Sequence, residues 1–385
     1  MKTRTFTPLL AIALLGLCVG VGAEIESTPA PGASDWPIYR GDAALTGVAA
    51  TTLPDAPKLL WSFKTEGPIL SSPVVGNGRV YVGSSDEKLY ALDMKTGAKV
   101  WDYAAGAQIE APPTLHGDAI LFGATDGSLR KLDAASGESL WEYEAGDKII
   151  GAPVVASIGE RKLVLIGSHD TFLRCVDFKT GEQVWTYATD NYINATPTLL
   201  DGGAKVAFGG CDGLVHVVAV EDGSKIAQIE VGDYVASAGA YADGKLYVGH
   251  YGNQFVRIDL HAGRIDWSYA EHNFPYSSSP AIGESLVVVG GHGKRLIALK
   301  REDGTEVWSF PTLGPVDGSP VIAGDKVLFG SGDGRLRILS LADGKELWSY
   351  EIGGGIVGSP AVAARNIVVG SEDGSVYAFG DGNSP

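Results

Sequence analysis

The segment that decides the fold is residues 72–101, SPVVGNGRVYVGSSDEKLYALDMKTGAKVW. Its apolar residues alternate with polar ones in short runs, and glycine-containing turns such as Gly76-Asn77-Gly78 separate these runs. Alternation with a period of two between such turns is typical of short β-strands, whereas a sustained helical period is missing after the N-terminus. The segment therefore predicts four consecutive strands joined by tight turns.

The same unit recurs about every forty residues along the chain, the spacing of a repeat architecture. Three marks keep one register over residues 57–380: a glycine that ends a β-rich run, a small residue before proline, and a tryptophan after a glycine turn. The tryptophans are Trp61, Trp101, Trp141, Trp185, Trp267, Trp308 and Trp348. Ala227 replaces the tryptophan in one unit, and Gly239 replaces the proline that follows it. Eight such units predict an all-β fold, an eight-bladed β-propeller of four-stranded antiparallel blades.

The ends of the repeat region predict how the ring closes. After Pro360 the chain supplies only three strands, whereas the run LLWSF at residues 59–63 precedes the first complete unit. We expect this N-terminal strand to complete the last blade and to remove a free sheet edge. The predicted boundaries are 1–23 for a signal peptide, 24–56 for a flexible extension that then packs on the propeller, 57–380 for the propeller and 381–385 for a C-terminal tail.

Composition and charge exclude several classes of protein. The 385 residues are 45% hydrophobic and 20% charged, which excludes a wholly disordered chain. Asp and Glu number 46 against 30 Lys and Arg, so the net charge is −16 and a nucleic-acid partner is not expected. The 53 glycines fit a fold with many tight turns.

The N-terminus predicts export. Lys2 and Arg4 precede an uncharged apolar run at residues 9–22, and small residues follow up to Ala23, the pattern of a secretory signal peptide. We find no later segment long and apolar enough to span a bilayer. Leu17 before Cys18 fits a lipidation signal poorly, so a soluble periplasmic or secreted product is favoured over a lipid-anchored one.

The repeat resembles the PQQ-like β-propeller repeat, which has the form D-x-x-T-G-x-x-x-W, here Asp93 to Trp101, with S-P-V-V and V-Y-V-G segments. The segment from Trp36 to Asp42, WPIYRGD, is similar to the lead-in of these proteins. The family contains PQQ-dependent alcohol and sugar dehydrogenases, and also the non-catalytic propeller subunit of the outer-membrane β-barrel assembly machinery. The chain resembles that subunit more than the dehydrogenases, and both branches imply eight blades.

The resemblance to the dehydrogenases implies a quinone site capped by a disulfide of adjacent cysteines, with a stacking tryptophan and a Ca²⁺ ion. Cys175 and Cys211 are not adjacent, every tryptophan except Trp36 belongs to the repeat, and no contiguous calcium loop is present. We therefore expect no PQQ or Ca²⁺ and assign no catalytic residue. A PQQ-dependent dehydrogenase stays the alternative, and a small-ligand sensor that uses the axial channel is a second alternative.

Departures from the repeat indicate where a site could lie. The connectors between units are mostly small, as in AAGAQ and TLGPV, but they become bulky in the middle of the chain, as in DNYIN and EHNFPYS. Aromatic residues in surface loops are frequent anchors for protein recognition. The partner-binding candidates are Tyr192, Tyr234, Tyr251, Phe274 and Tyr276. These residues could instead fill the tops of neighbouring blades.

Three histidines form a weaker candidate. His250, His272 and His292 fall in loops that share one face of the propeller, where they could bind Zn²⁺ or Cu²⁺. The favoured interpretation is that they are ordinary solvent-exposed loop histidines. The favoured function is an exported, non-catalytic scaffold, a monomer or a complex subunit, that binds envelope proteins and assists outer-membrane protein assembly.

Overall fold

The computed structural model describes residue 32, residues 34–270 and residues 273–382. The predictions for the signal peptide, Cys18 and His272 lie outside these residues. The described strands, in chain order, are β1 (Lys58–Lys64), β2 (Val74–Gly76), β3 (Arg79–Gly83), β4 (Lys88–Asp93), β5 (Lys99–Ala104), β6 (Thr114–His116), β7 (Ala119–Gly123), β8 (Ser128–Asp133), β9 (Ser139–Glu144), β10 (Val154–Ile158), β11 (Arg161–Gly167), β12 (Phe172–Asp177), β13 (Gln183–Ala188), β14 (Thr198–Leu200), β15 (Lys205–Gly209), β16 (Leu214–Ala219), β17 (Lys225–Glu230), β18 (Ala240–Ala242), β19 (Lys245–His250), β20 (Gln254–Asp259), β21 (Arg264–Tyr269), β22 (Ala281–Ile282), β23 (Leu286–Gly291), β24 (Arg295–Lys300), β25 (Glu306–Pro311), β26 (Val321–Ala323), β27 (Lys326–Gly330), β28 (Arg335–Ser340), β29 (Glu346–Glu351), β30 (Ala361–Ala363), β31 (Asn366–Ser371) and β32 (Ser375–Gly380). A short 3-10 turn, Asp201–Gly203, follows β14.

These strands form eight four-stranded antiparallel sheets, which confirms the predicted eight-bladed propeller. Blades 1 to 7 are the successive groups of four from β2–β5 to β26–β29, and blade 8 combines β30, β31 and β32 with β1. Lys58 pairs with Gly380 and Lys64 with Ser375, so the N-terminal strand closes the ring as the repeat pattern predicted. Closure removes the free edge that an open sheet would leave.

The apolar core lies between neighbouring blades rather than at a single centre. The second strands are almost wholly buried, whereas the outermost strands alternate between exposed and half-buried residues. Tryptophans of the outermost strands pack across these seams. Trp61, for example, lies against the turn glycine Gly97 of the next blade, and its Nε1 donates to the Met94 carbonyl at 3.0 Å. The aromatic area buried in such contacts stabilises the seams.

The residues before β1 cross the lower end of the axial channel, the end that bears the turns after the first strands. Trp36 exchanges two backbone hydrogen bonds with Val75 of blade 1, at 2.7 and 2.8 Å. Further along, the Ala44 carbonyl accepts from the Tyr241 amide of blade 5 at 2.9 Å. Because this segment bonds to blades on opposite sides of the ring, it fixes them relative to one another and narrows the channel from below.

Two kinds of loop share the opposite, upper face: the connectors between blades and the turns between second and third strands. One residue of each such turn donates its amide to a connector carbonyl. The eight bonds join Ser85 to Pro68, Thr125 to Gln108, His169 to Lys148, Cys211 to Tyr192, Tyr251 to Tyr234, His292 to Pro275, Gly332 to Pro315 and Glu372 to Gly355. The upper face is therefore a ring of loops held together by backbone bonds.

Candidate functional site

Four of the five aromatic candidates are exposed on the upper face over blades 4 to 6. We call these four residues the aromatic arc: Tyr192 is 48% exposed, Tyr234 51%, Tyr251 39% and Phe274 53%. The Tyr251 amide donates to the Tyr234 carbonyl at 2.9 Å, so a turn residue and a connector residue of the arc lie side by side. Exposed aromatic rings on a bonded backbone offer apolar contact area at a small entropic cost.

The fifth candidate, Tyr276, does not belong to this surface, which corrects the prediction. Tyr276 is only 4% exposed and lies in a core cluster with Phe255 and Tyr269, each with its ring centre 6.2 Å from that of Tyr276. The physical reason is its place in the repeat. Tyr276 packs against Gly249, the glycine near the end of β19 in blade 5. In the other seams an isoleucine or a valine packs against the equivalent glycine.

Two residues that the sequence analysis did not select border the arc. The His169 ring stacks on Tyr192 with centroids 4.9 Å apart. Leu313, in the connector TLGPV, is 81% exposed. The sequence signal for Leu313 was a large apolar residue in a connector, which the glycine and proline beside it obscured. The exposed apolar surface therefore extends beyond the four aromatic rings.

The loops of the arc differ from the others in their side-chain clamps. In six blades the turn aspartate bonds a residue four positions later on the third strand, the pairs being Asp86–Tyr90, Asp126–Arg130, Asp170–Arg174, Asp212–His216, Asp333–Arg337 and Asp373–Tyr377. In blades 5 and 6 the aspartate is replaced by Gly252 and Gly293, and its partner by Val256 and Ile297. The polar clamp is thus missing from the two turns that carry Tyr251 and His292.

The clamps affect protonation where they are present. Burial of Asp333 would raise its pKa, but the hydrogen bonds from Arg337 and Ser331 outweigh burial and lower the pKa to about 2. For His216 the effect of burial has the opposite sign: burial lowers the pKa of this histidine, although the nearby Asp212 carboxylate counteracts it. The Asp333 carboxylate is therefore held charged at neutral pH by its hydrogen bonds.

Carboxylates lie between the rings of the arc. Asp190 and Asp233 each stand one or two residues before an arc tyrosine, and the Tyr234 amide donates to Asp233 at 2.7 Å. Asp317 accepts from Ser277 at 2.6 Å and lies 3.2 Å from His292 Nε2. This combination of aromatic rings and carboxylates suits a partner surface that offers apolar and basic side chains.

The histidine candidates do not form a metal site within the part of the chain that the structure describes. His250 is 2% exposed and its Nδ1 accepts from the Gly252 amide at 3.1 Å. His292 faces Asp317, and the centre of its ring lies 5.9 Å from that of the Tyr251 ring. No group of three or more His, Cys, Asp or Glu side chains among the described residues could hold a metal ion.

The axial channel contains a polar cavity of about 200 Å³, lined by Tyr39 and by residues that precede the first strands, such as Ser72, Ser279 and Ser359. The Tyr39 hydroxyl lies 3.2 Å from Ser279 and 3.0 Å from Ser319, below this cavity. Backbone amides of one blade also donate to hydroxyls of the next, as from Ser279 to Ser319 at 2.9 Å, and the bond from the Ser359 amide to the Ser72 hydroxyl at 2.8 Å joins blades 8 and 1. These hydroxyls therefore bond neighbouring blades of the propeller to one another.

The quinone arrangement that the dehydrogenases imply does not fit these residues. Cys175 is a buried free thiol in β12, and Cys211 is a free thiol in a turn of the next blade, so they cannot form a disulfide of adjacent cysteines. Burial raises the pKa of Cys175 to about 12, which keeps the thiol protonated. The repeat tryptophans pack in the seams, away from the channel. We derive no reaction step from this cavity.

Comparison with known proteins agrees with this architecture. Residues 48–196 and 169–383 match the family described as Outer membrane protein assembly factor BamB. The chain belongs to this family. A protein named Outer membrane protein assembly factor BamB, from Xanthomonas campestris pv. campestris, is 36% identical over 78 residues, and the match spans 18% of this chain and 19% of that relative.

Solved structures share the fold. BamB from Moraxella catarrhalis superposes with a TM-score of 0.73 at 19% identity, covering 84% of this chain and 99% of that one. Quinohemoprotein alcohol dehydrogenase from Comamonas testosteroni reaches 0.76 at 18% identity, covering 92% and 82%. At these identities the likeness concerns the fold, which an assembly factor and an oxidoreductase both use. In the described residues no helix is long and apolar enough to span a membrane.

Proposed function

We propose that this chain is an exported, non-catalytic interaction scaffold of the cell envelope that takes part in outer-membrane protein assembly. The family match supports the assembly role, and the pattern of residues 1–23 supports export. In this proposal the propeller is a subunit that docks on another protein of the assembly machinery.

The observation that carries the proposal is the aromatic arc. Among the eight equivalent loop pairs, exposed aromatic rings concentrate over blades 4 to 6, where the aspartate clamps of two turns are also missing. Structural residues repeat from blade to blade, whereas a binding surface departs from the repeat. The arc is such a departure, and its backbone is held by the bonds that join every turn to a connector.

The proposal is tested by replacing Tyr192, Tyr234 and Phe274 with serine and measuring co-purification of outer-membrane assembly proteins from the producing cell. We expect the triple variant to fold normally and to lose most of this co-purification, because apolar anchors at the centre of an interface carry most of its binding energy. Unfolding curves of both proteins verify the fold.

A matched control removes the same kind of surface elsewhere. Val100, Leu140 and Leu347 are 45%, 53% and 49% exposed on the outermost strands of blades 1, 2 and 7. Their triple serine variant removes a comparable amount of exposed apolar surface and should co-purify the partner as the native chain does. Loss of the partner in the control, or its retention in the arc variant, would contradict the proposed docking face.

A further inference from the structure

The seams between blades contain one contact that recurs six times. The indole ring of an outermost strand lies on the glycine of the next blade's turn between third and fourth strands. The pairs are Trp61–Gly97, Trp101–Gly137, Trp141–Gly181, Trp185–Gly223, Trp267–Gly304 and Trp308–Gly344, and a Cβ on any of these glycines would lie 2.6 to 2.8 Å from the ring. In each pair Nε1 also donates to a carbonyl of that next blade, at 2.9 to 3.2 Å.

The seam between blades 4 and 5 lacks this ring. Ala227 stands where the tryptophan would be, directly opposite Val217 in the register of β16 and β17. The glycine that would receive the ring, Gly263, has no atom within 4 Å of where a Cβ would stand. Gly263 is also exposed, whereas the glycines of the six occupied pairs are buried or half-buried. The place of the indole ring is therefore open to solvent.

The other half of the contact is still present. Leu260 is the residue equivalent to Met94 and Arg301, whose carbonyls accept from Trp61 and Trp267. No described residue donates a hydrogen bond to the Leu260 carbonyl oxygen. The surface around it is apolar, because Ala227, Leu260 and Ile265 are partly buried against the core of this seam. An apolar recess with one free acceptor at its edge matches an indole ring and its single N–H.

We propose that this recess, the indole notch of Ala227, Leu260 and Gly263, binds the exposed tryptophan side chain of a partner polypeptide. Six occupied copies in the same molecule define the occupant, since each pairs a ring on glycine with an N–H on a carbonyl. The chain has no other tryptophan that could fill it: Trp36 is 3% exposed at the lower face, and Trp348 packs on Phe379 of blade 8 with ring centres 5.7 Å apart. Residues 1–33 and 383–385 contain no tryptophan. The notch lies away from the upper face, so it is independent of the aromatic arc.

The test uses the N-acetyl amide of 5-fluorotryptophan as the probe and follows its ¹⁹F signal during titration with the purified protein. We expect saturable binding with a dissociation constant on the order of 1 mM, a value suited to one buried side chain. Ala227→Trp fills the notch from within, so binding should weaken at least tenfold while the melting temperature rises. The N-acetyl amide of leucine, which has no ring N–H, should compete poorly.

Two further variants keep the test decisive. Ala227→Leu fills part of the notch without adding a large ring, and it should also weaken binding. This variant keeps the test valid in the case that Ala227→Trp disturbs folding. Trp267→Ala, which opens the equivalent place over Gly304, should create a second probe site in the native background. No saturable binding to the native protein, or equal binding to native, Ala227→Trp and Ala227→Leu proteins, would overturn the proposal.

Discussion

Replacement of Tyr276 by alanine separates a buried seam residue from an exposed binding residue on the same connector. Tyr276 fills the space between blades 5 and 6, and its Cβ lies 2.5 Å from where a Cβ on Gly249 would stand. The neighbouring Phe274 is 53% exposed, whereas Tyr276 is 4% exposed. The variant should therefore open a cavity in the seam rather than remove a surface contact.

The magnitude follows from large-to-small substitutions in protein cores. Truncation of a buried aromatic residue to alanine costs about 3–5 kcal/mol. With an unfolding entropy of about 2.1 cal/mol/K per residue over the propeller, this loss lowers the melting temperature by about 4–7 °C. Tyr234→Ala, at a position 51% exposed, is the matched control, and it should change the free energy of unfolding by no more than about 0.5 kcal/mol.

The assay is thermal unfolding followed by circular dichroism and by calorimetry, on native, Tyr276→Ala and Tyr234→Ala proteins. The expected order of melting temperatures places the Tyr276 variant clearly below the other two. Equal melting temperatures of the Tyr276 and Tyr234 variants would refute the assignment of Tyr276 to the seam, and with it the reason for excluding this residue from the docking surface.

The remaining predictions concern pH and the quinone. Burial, with Lys162 and Lys131 nearby, lowers the pKa of His116 to about 4, below the 6.5 of the unfolded chain. The unfolded state therefore binds the extra proton first, and stability should fall as pH drops from 6.5 to 4, by at most about 3 kcal/mol. His116→Asn should flatten this part of the stability curve, and an unchanged slope would contradict the assignment. Calorimetric titration with PQQ and Ca²⁺ should show no saturable binding, whereas micromolar affinity would restore the dehydrogenase alternative despite the cysteine positions.

The blades could be predicted from the sequence because their marks are local. The glycines, prolines and tryptophans each recur in one register, and the strand LLWSF has no other partner than the incomplete last unit. Such residues determine turns and seams whose geometry is the same in every blade, so that pattern alone determines the architecture.

The site was less predictable because exposure depends on which seam a side chain enters. Phe274 and Tyr276 belong to one connector, but the repeat position of the second directs it onto Gly249 and into the core. An alignment of that connector with the others would have paired Tyr276 with the buried Val316 and Ile356. The exposure of Leu313 could not be predicted either, because the glycine and proline after it give this connector the pattern of the small connectors.

The most direct test of the proposed docking face is site-specific photocrosslinking in living cells of the producing organism. A photoreactive phenylalanine analogue is placed at Tyr234 or Phe274 in the arc, and at Leu140 or Leu347 on the outermost strands. We predict adducts with proteins of the outer-membrane assembly machinery from the two arc positions and none from the outer-strand positions. Adducts with those proteins from the outer strands alone, or none from any position, would contradict the account.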